Sequence, residues 1–287
     1  MHIEDSTVMD TLVLTLLAKD RLSDVIKGTG EISLSQYSFL QTLAINNVPV
    51  SSRRIAKELN LTDGAISQMA ASLTSRGYIE RQPSGIDGRS VEYLLATAGR
   101  YCYSRVNAAM REHIRLRHKN IDYTIFNLTL RETMSFFKTS QNLSTKYNRI
   151  SFEDSYIRCI SVSSKVIKNA AARYGLSAWS LVALAYCDYK PSQLTVKTLS
   201  RMILLPPNKV VQIIAPLEKK GLVRLTVGID RRMREINVTE EGKGIATGFR
   251  ELFGEYIKNQ KTLLKTDERN LVLGNSQPFL RELRELV

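Results

Sequence analysis

The stretch that decides the fold runs from Ser51 to Gly99: SSRRIAKELNLTDGAISQMAASLTSRGYIERQPSGIDGRSVEYLLATAG. Ser51 can cap a short helix with apolar residues at helical spacing, and Thr62 can cap a second helix that stops at Gly77. Two short helices joined by a tight turn form a helix-turn-helix. After Gly77 the sequence has the pattern of a strand, a turn and a second strand, which predicts a β-hairpin. Thr97 then begins a long helix.

Helical patterns also flank this stretch. Apolar residues recur at helical spacing after Ser35, which we take as the N-cap of a helix before the helix-turn-helix. A helix from about Glu4 to Ile26 precedes it, and another is predicted at about Leu128 to Thr139. The expected fold class is therefore mainly α with small β-hairpins (α+β), in which each hairpin follows a helix-turn-helix as its wing.

The same pattern occurs twice in the 287 residues. Leu34–Ser38 matches Leu176–Ser180, and Gly85–Arg89 matches Gly228–Arg232, at nearly constant offsets of about 143 residues. We therefore predict two tandem winged helix-turn-helix domains with flanking long helices, covering residues 1–145 and 146–287.

The second copy follows the same plan with different residues. Thr195 takes the place of Ser51 as a cap, and Pro206 and Pro207 stand where the second helix of the pair should begin. Thr239 opens the long helix after the hairpin. Pro216 lies inside the second helix of the pair, where it is expected to kink or break that helix.

Charge points to a polyanionic partner. The formal net charge is +13, and the excess lies mainly in the second half: residues 1–140 hold 17 basic and 14 acidic residues, whereas residues 141–287 hold 24 and 14. Nucleic acid is the simplest partner for such an excess. A basic excess that only maintains solubility is the alternative.

Several classes of protein are disfavoured. No stretch approaches the roughly 18 apolar residues of a membrane span, and the acidic start does not suit a signal peptide, so no membrane partner and a cytoplasmic location are expected. Cys102, Cys159 and Cys187 show no metal-ligand or disulfide spacing and are expected to be reduced and mostly buried, with a redox-sensing thiol as the alternative. No catalytic, metal or cofactor motif occurs, which predicts no enzyme, no metal and no cofactor.

Two short motifs carry a resemblance to a known family. Asp87-Gly88-Arg89 and Asp230-Arg231-Arg232 stand in the hairpins, and Leu95–Gly99 and Val238–Gly242 lead from the returning strand into the long helix. Their order after a helix-turn-helix resembles the MarR family. The resemblance implies winged helices that bind DNA. It also implies that family members with one such domain act as homodimers, whose interface the terminal helices form. Two copies in one chain resemble tandem Sar-type regulators, in which one polypeptide imitates the dimer.

The predicted function is that of a sequence-specific transcription regulator, expected to be a repressor, with double-stranded DNA as its partner. The second helix of each pair would enter the major groove, the wing arginines a narrow minor groove, and residues near the first helix would contact phosphates. The resemblance implies that the wing aspartates orient the arginines. The candidate DNA-binding residues are Ser51, Arg53, Arg54, Thr62, Gly64, Ala65, Ser67, Gln68, Asp87, Arg89, Lys197, Asn208, Lys209, Val211, Gln212, Asp230, Arg231 and Arg232.

Two other functions stay open at this point. One is a plasmid-type replication initiator with two winged helices, which the wing motifs and the long flanking helices disfavour. The other is a winged-helix interaction module that has lost DNA binding, for which Pro216 is the only hint. A monomeric pseudo-dimer is expected, and further self-association, an unknown small-molecule effector and control by cysteine oxidation are left open.

Overall fold

The computed structural model describes residues 5–59, 61–84, 91–117, 152–189, 194–227 and 234–258. The fold is mainly helical with small antiparallel sheets, as the sequence predicts. The elements of the first half of the chain are α1 (Asp5–Gly30), α2 (Leu34–Asn46), β1 (Val50–Ser51), α3 (Ser52–Leu59), α4 (Asp63–Ser75), β2 (Ile79–Pro83), β3 (Val91–Leu95) and α5 (Thr97–Arg117). Those of the second are α6 (Phe152–Ala172), α7 (Ala178–Tyr189), α8 (Val196–Met202), α9 (Pro207–Lys219), β4 (Val223–Val227), β5 (Arg234–Val238) and α10 (Glu240–Lys258).

The chain divides into two compact units. One holds the described residues within Lys19–Val162, so that it includes α2 to α5 and the first part of α6. Its sheet has the order β1-β3-β2, with Ile79 opposite Leu95 and Val50 opposite Tyr93. The helices α2, α3 and α4 bury apolar side chains beside this sheet, including Tyr37, Phe39, Leu40, Ile55, Ile66 and Leu73.

The other unit holds the described residues within Met1–Ala18 and Ser163–Gln260. Its core combines apolar residues of the first part of α1, such as Met9 and Leu12, with α7, α8, α9 and α10. Strands β4 and β5 form a two-stranded antiparallel sheet in which Val223 lies opposite Val238. An isolated bridge joins Thr195, before α8, to Glu235 of β5, much as β1 before α3 pairs with β3.

Several predicted helix ends are confirmed. The Thr62 hydroxyl accepts a hydrogen bond from the amide of Ala65, and Gly77 follows the end of α4 with a left-handed φ of +68°. The Thr195 hydroxyl accepts from the amide of Thr198, and α9 begins at Pro207. These ends were predictable because a cap depends on side chains within three or four residues of it.

Two helix boundaries differ from the predictions. Ser33, not Ser35, caps α2, because Gln36 lies three residues after Ser33 and completes a reciprocal capping box. Helix α1 continues past Ile26 to Gly30. The helix predicted at 128–139 and the predicted domain boundary at 145/146 lie outside the described residues.

Of the two expectations for Pro216, a kink or a break, the break is wrong, because α9 is continuous from Pro207 to Lys219, and the kink stays a prediction. A proline removes one backbone hydrogen bond and clashes with the carbonyl four residues earlier. Buried side chains stand on both sides of it, with Ile213 and Ile214 before it and Leu217 after it. We attribute the continuity of the helix to this packing, which outweighs the local preference.

Candidate nucleic-acid interface

Helix α4 is the second helix of the first helix-turn-helix and has two distinct faces. Ile66, Ala70 and Leu73 are buried and attach the helix to its unit. The opposite face exposes the predicted residues Gly64, Ser67 and Gln68, with Ala65 half-buried beside them. Because positions three and four residues apart share a helix face, these candidates form one outward stripe.

Helix α9 repeats this arrangement in the second unit. Val210, Ile213, Ile214 and Leu217 are buried, whereas the predicted residues Asn208, Lys209, Val211 and Gln212 are exposed. The Asn208 amide oxygen accepts a hydrogen bond from the backbone N–H of Lys209 at 2.9 Å. An asparagine that contacts adenine with both amide atoms would therefore have to leave this local bond first.

The two outward faces differ in charge. Helix α4 carries Asp63 and no lysine or arginine, whereas α9 carries Lys209 and Lys219 beside one acid, Glu218. The exposed Lys197 of α8 adds a further cation to the second unit. The electrostatic attraction to phosphate is therefore stronger along α9 than along α4.

The predicted phosphate contacts on α3 fall into two groups. Arg53 is exposed, whereas Arg54 donates hydrogen bonds to the Glu58 carboxylate at 3.0 Å and to the Asn46 amide oxygen at 2.7 Å. The second oxygen of Glu58 accepts from the Arg158 guanidinium of α6 at 3.1 Å. Glu58 and Arg158 have side chains only 5% exposed. This buried pair fixes α3, on which the position of α4 depends.

The Ser51 and Thr62 hydroxyls are engaged in the helices themselves. Ser51 accepts from the backbone amide of Arg54, and Thr62 accepts from that of Ala65, both at 3.3 Å. Each therefore holds a helix N-terminus in shape, where backbone N–H groups point outward. Such N–H groups are suitable partners for an anion.

The predicted wing residues Asp87, Arg89, Asp230, Arg231 and Arg232 lie outside the described residues. The strands that lead to them are described. Arg81, Arg224 and Arg234 are exposed on these strands, and the sequence-based selection missed all three. Strict alternation along the strands would not have found Arg81 or Arg234, because Ile79 and Ile236, two residues away on the same strands, are buried.

Each hairpin packs closely against the long helix that follows it, at one glycine in that helix. A Cβ atom placed on Gly99 would collide with the backbone of Tyr78, and one on Gly242 with that of Leu222. The Tyr78 carbonyl accepts from the amide of Ala96 at 3.1 Å. The Leu222 carbonyl accepts from the amide of Thr239, also at 3.1 Å. The glycines of the strand-to-helix motif therefore allow a close backbone approach.

Other chemistry receives little support from the described residues. Cys102 and Cys187 are buried, and burial raises the pKa of both thiols, that of Cys187 to about 12. Such thiols are mostly protonated at neutral pH and react slowly. The side chain of Cys159 is outside the described part of the chain.

The described residues offer neither a metal-binding cluster nor a helix that could span a membrane. No group of three His, Cys, Asp or Glu side chains stands close enough together there to hold a metal ion. None of the described helices combines the length and hydropathy that crossing a membrane requires.

Comparison with known proteins gives one family match. Residues 31–90, which contain the first helix-turn-helix and strand β2, match the model of the MarR family. This match supports a winged-helix regulator of the MarR type. No curated protein matches the chain.

Several solved structures are similar to parts of the chain at low identity. MepR of S. aureus in complex with DNA is 17% identical, with a TM-score of 0.42, over 47% of this chain and 99% of that one. BldR of Sulfolobus solfataricus is 18% identical, with a TM-score of 0.34, over 36% and 73%. CouR of Rhodococcus jostii RHA1 bound to p-coumaroyl-CoA is 20% identical, with a TM-score of 0.38, over 48% and 93%.

Proposed function

We propose that this chain is a sequence-specific regulator of transcription that binds double-stranded DNA through α4 and α9 and acts as a repressor. The observation that carries the proposal is the second helix of each pair. Each is anchored by a buried apolar face and exposes an opposite face that includes a glutamine, Gln68 in α4 and Gln212 in α9. Glutamine can form paired hydrogen bonds with adenine in the major groove, which admits an α-helix.

Charge and family resemblance support the same proposal. The net charge of +13 suits a polyanion, and the MarR family model matches the segment that contains α4. We further propose that the two repeats act as a single-chain pseudo-dimer on half-sites about one helical turn, roughly 34 Å, apart. Occupation of both half-sites would exclude other proteins from that duplex, which is the physical basis for repression.

The two units should contribute unequally. Only the glutamine is shared between the outward stripes, because Gly64, Ala65 and Ser67 of α4 correspond to Asn208, Lys209 and Val211 of α9. We therefore propose a non-palindromic preferred site. Gln68→Ala should relax base preference in one half-site, whereas Lys209→Ala should lower affinity for all sequences, as loss of a phosphate contact does.

The test is selection of bound duplexes from a random pool, followed by titration of the selected duplex at several salt concentrations. The logarithm of the association constant should fall linearly with the logarithm of salt, with a slope of about −0.9 per neutralised phosphate. Arg89→Ala and Arg232→Ala should each weaken binding to the selected duplex without unfolding the protein. Lys27→Ala on α1 is the control for the loss of one exposed charge, and it should weaken binding less. Absence of binding at low salt would reject DNA as the partner, and recovery of a perfect inverted repeat would reject the unequal half-sites.

Repression is tested separately with purified transcription components. A template carrying the selected site within its promoter should yield less transcript when the protein is added. A template with a scrambled site should not respond. Increased transcript from the first template would assign the opposite direction of regulation.

A further inference from the structure

Val211 is an apolar side chain on the otherwise polar outward stripe of α9. Its exposure of 53% contrasts with that of Val210, Ile213 and Leu217, which are at most 9% exposed. A β-branched residue on an exposed helix surface lowers helix propensity slightly and gains little from burial. Folding of the unit therefore does not require valine at this position.

The neighbours of Val211 give it a chemical context. Asn208 lies three residues before it and Gln212 directly after it, and both are exposed on the same side of the helix. A lone apolar residue on a protein surface is unremarkable by itself. Here it stands between two amide side chains, on the helix that presents these groups outward.

Among the groups on the base edges of the major groove, the C5-methyl of thymine is the apolar one. Resting on the proposed function, we infer that Val211 is a base-specificity residue that packs against a thymine methyl group in the half-site bound by the second unit. The adjacent Gln212 suits adenine, so the inference predicts a thymine close to an adenine contacted by α9.

The corresponding residue in the first unit is Ser67, which is exposed on α4 and offers a hydroxyl instead of methyl groups. The half-site bound by the first unit should therefore lack this dependence on thymine. The inference thus gives a chemical reason for one difference between the half-sites.

The test removes the methyl group from the DNA and leaves every hydrogen-bonding group in place. Each thymine of the selected duplex is replaced in turn by deoxyuracil, and affinity is measured at constant salt. Replacement at one position in one half-site should weaken binding of the parent protein about fourfold, the value of one buried methyl-sized group. Val211→Ser should weaken binding to the thymine duplex to a similar degree and should no longer distinguish thymine from deoxyuracil there.

Val227→Ser is the matched control, since it removes an exposed valine at the end of β4 and should keep the full response to deoxyuracil. Val211→Ile should also keep it, because the apolar branch remains. The inference would be overturned if the parent protein bound every deoxyuracil duplex as tightly as the thymine duplex, or if Val211→Ser still distinguished thymine from deoxyuracil. In either case, salt-dependent binding of the parent would leave the proposed function intact. Failure of the parent to bind any duplex would instead reject the proposed function, and this inference with it.

Discussion

Replacement of Gly242 by alanine should destabilise the protein, although alanine is the better helix former. Gly242 lies in the first turn of α10, and an added Cβ would collide with the Leu222 carbonyl oxygen and lie 2.8 Å from a methyl carbon of Val238. Relief of the collision requires α10 to move away from the start of β4. That movement would stretch the hydrogen bond from the amide of Thr239 to the Leu222 carbonyl, now 3.1 Å long.

The magnitude follows from three contributions. Overpacking of a close contact costs about 1–3 kcal/mol. Loss of one backbone hydrogen bond costs about 1 kcal/mol. The higher helix propensity of alanine offsets up to about 1 kcal/mol of this loss in the free energy of unfolding. Gly242→Ala should therefore lower the free energy of unfolding by about 1–3 kcal/mol.

Gly248 provides the matched control in the same helix. It is exposed, and a Cβ there would meet nothing within 4 Å. Gly248→Ala should therefore raise the free energy of unfolding by up to about 1 kcal/mol.

Unfolding in urea can be followed by the fluorescence of Trp179, the single tryptophan, which lies on α7 in the same unit. The two variants should shift the midpoint in opposite directions at similar m values. The reasoning would be refuted if Gly242→Ala were as stable as the parent.

Three further predictions concern other parts of the structure. Glu58→Ala leaves the buried Arg158 guanidinium without this carboxylate and should lower the free energy of unfolding by about 3–5 kcal/mol, whereas Arg54→Ala removes a more exposed partner and should lower it by less than about 1 kcal/mol. Urea unfolding followed by circular dichroism distinguishes the two variants, and equal effects would contradict the burial argument. Glu31 has a left-handed φ of +54°, so Glu31→Gly should raise the free energy of unfolding by about 0.5–1 kcal/mol. The urea midpoint measures this change, and a destabilised variant would contradict backbone strain at Glu31. Burial raises the pKa of Cys187 to about 12, so this thiol should resist alkylation at pH 8 in the native protein and react promptly in denaturant. Peptide mass spectrometry can measure the alkylation, and rapid labelling of the native protein would be the contrary result.

Local features of the fold were predictable because their causes are local. The caps at Thr62 and Thr195 depend on hydroxyl groups within three residues of the amides they accept from. The stop at Gly77 depends on its own left-handed φ. The cap of α2 was misplaced by two residues because several serines compete near that start, and only Ser33 has Gln36 three residues later.

Features that join distant parts of the chain were not predictable in this way. The pair between Glu58 and Arg158 connects residues 100 positions apart, and nothing in either local sequence marks its partner. The continuity of α9 past Pro216 contradicts the local preference, because packing on both sides of the proline holds the helix. Exposure also had to come from the structure, as the missed Arg224 shows.

The sequence by itself therefore determined the order of the helices and hairpins, most of their ends and the helix faces that carry the candidate DNA contacts. It could do so because hydrogen-bonding caps, allowed φ values and hydrophobic periodicity act over a few residues. Only the tertiary structure decided why Gly242 has to be glycine and which charges are buried together. These properties depend on the distance between backbone segments that meet only when the chain has folded.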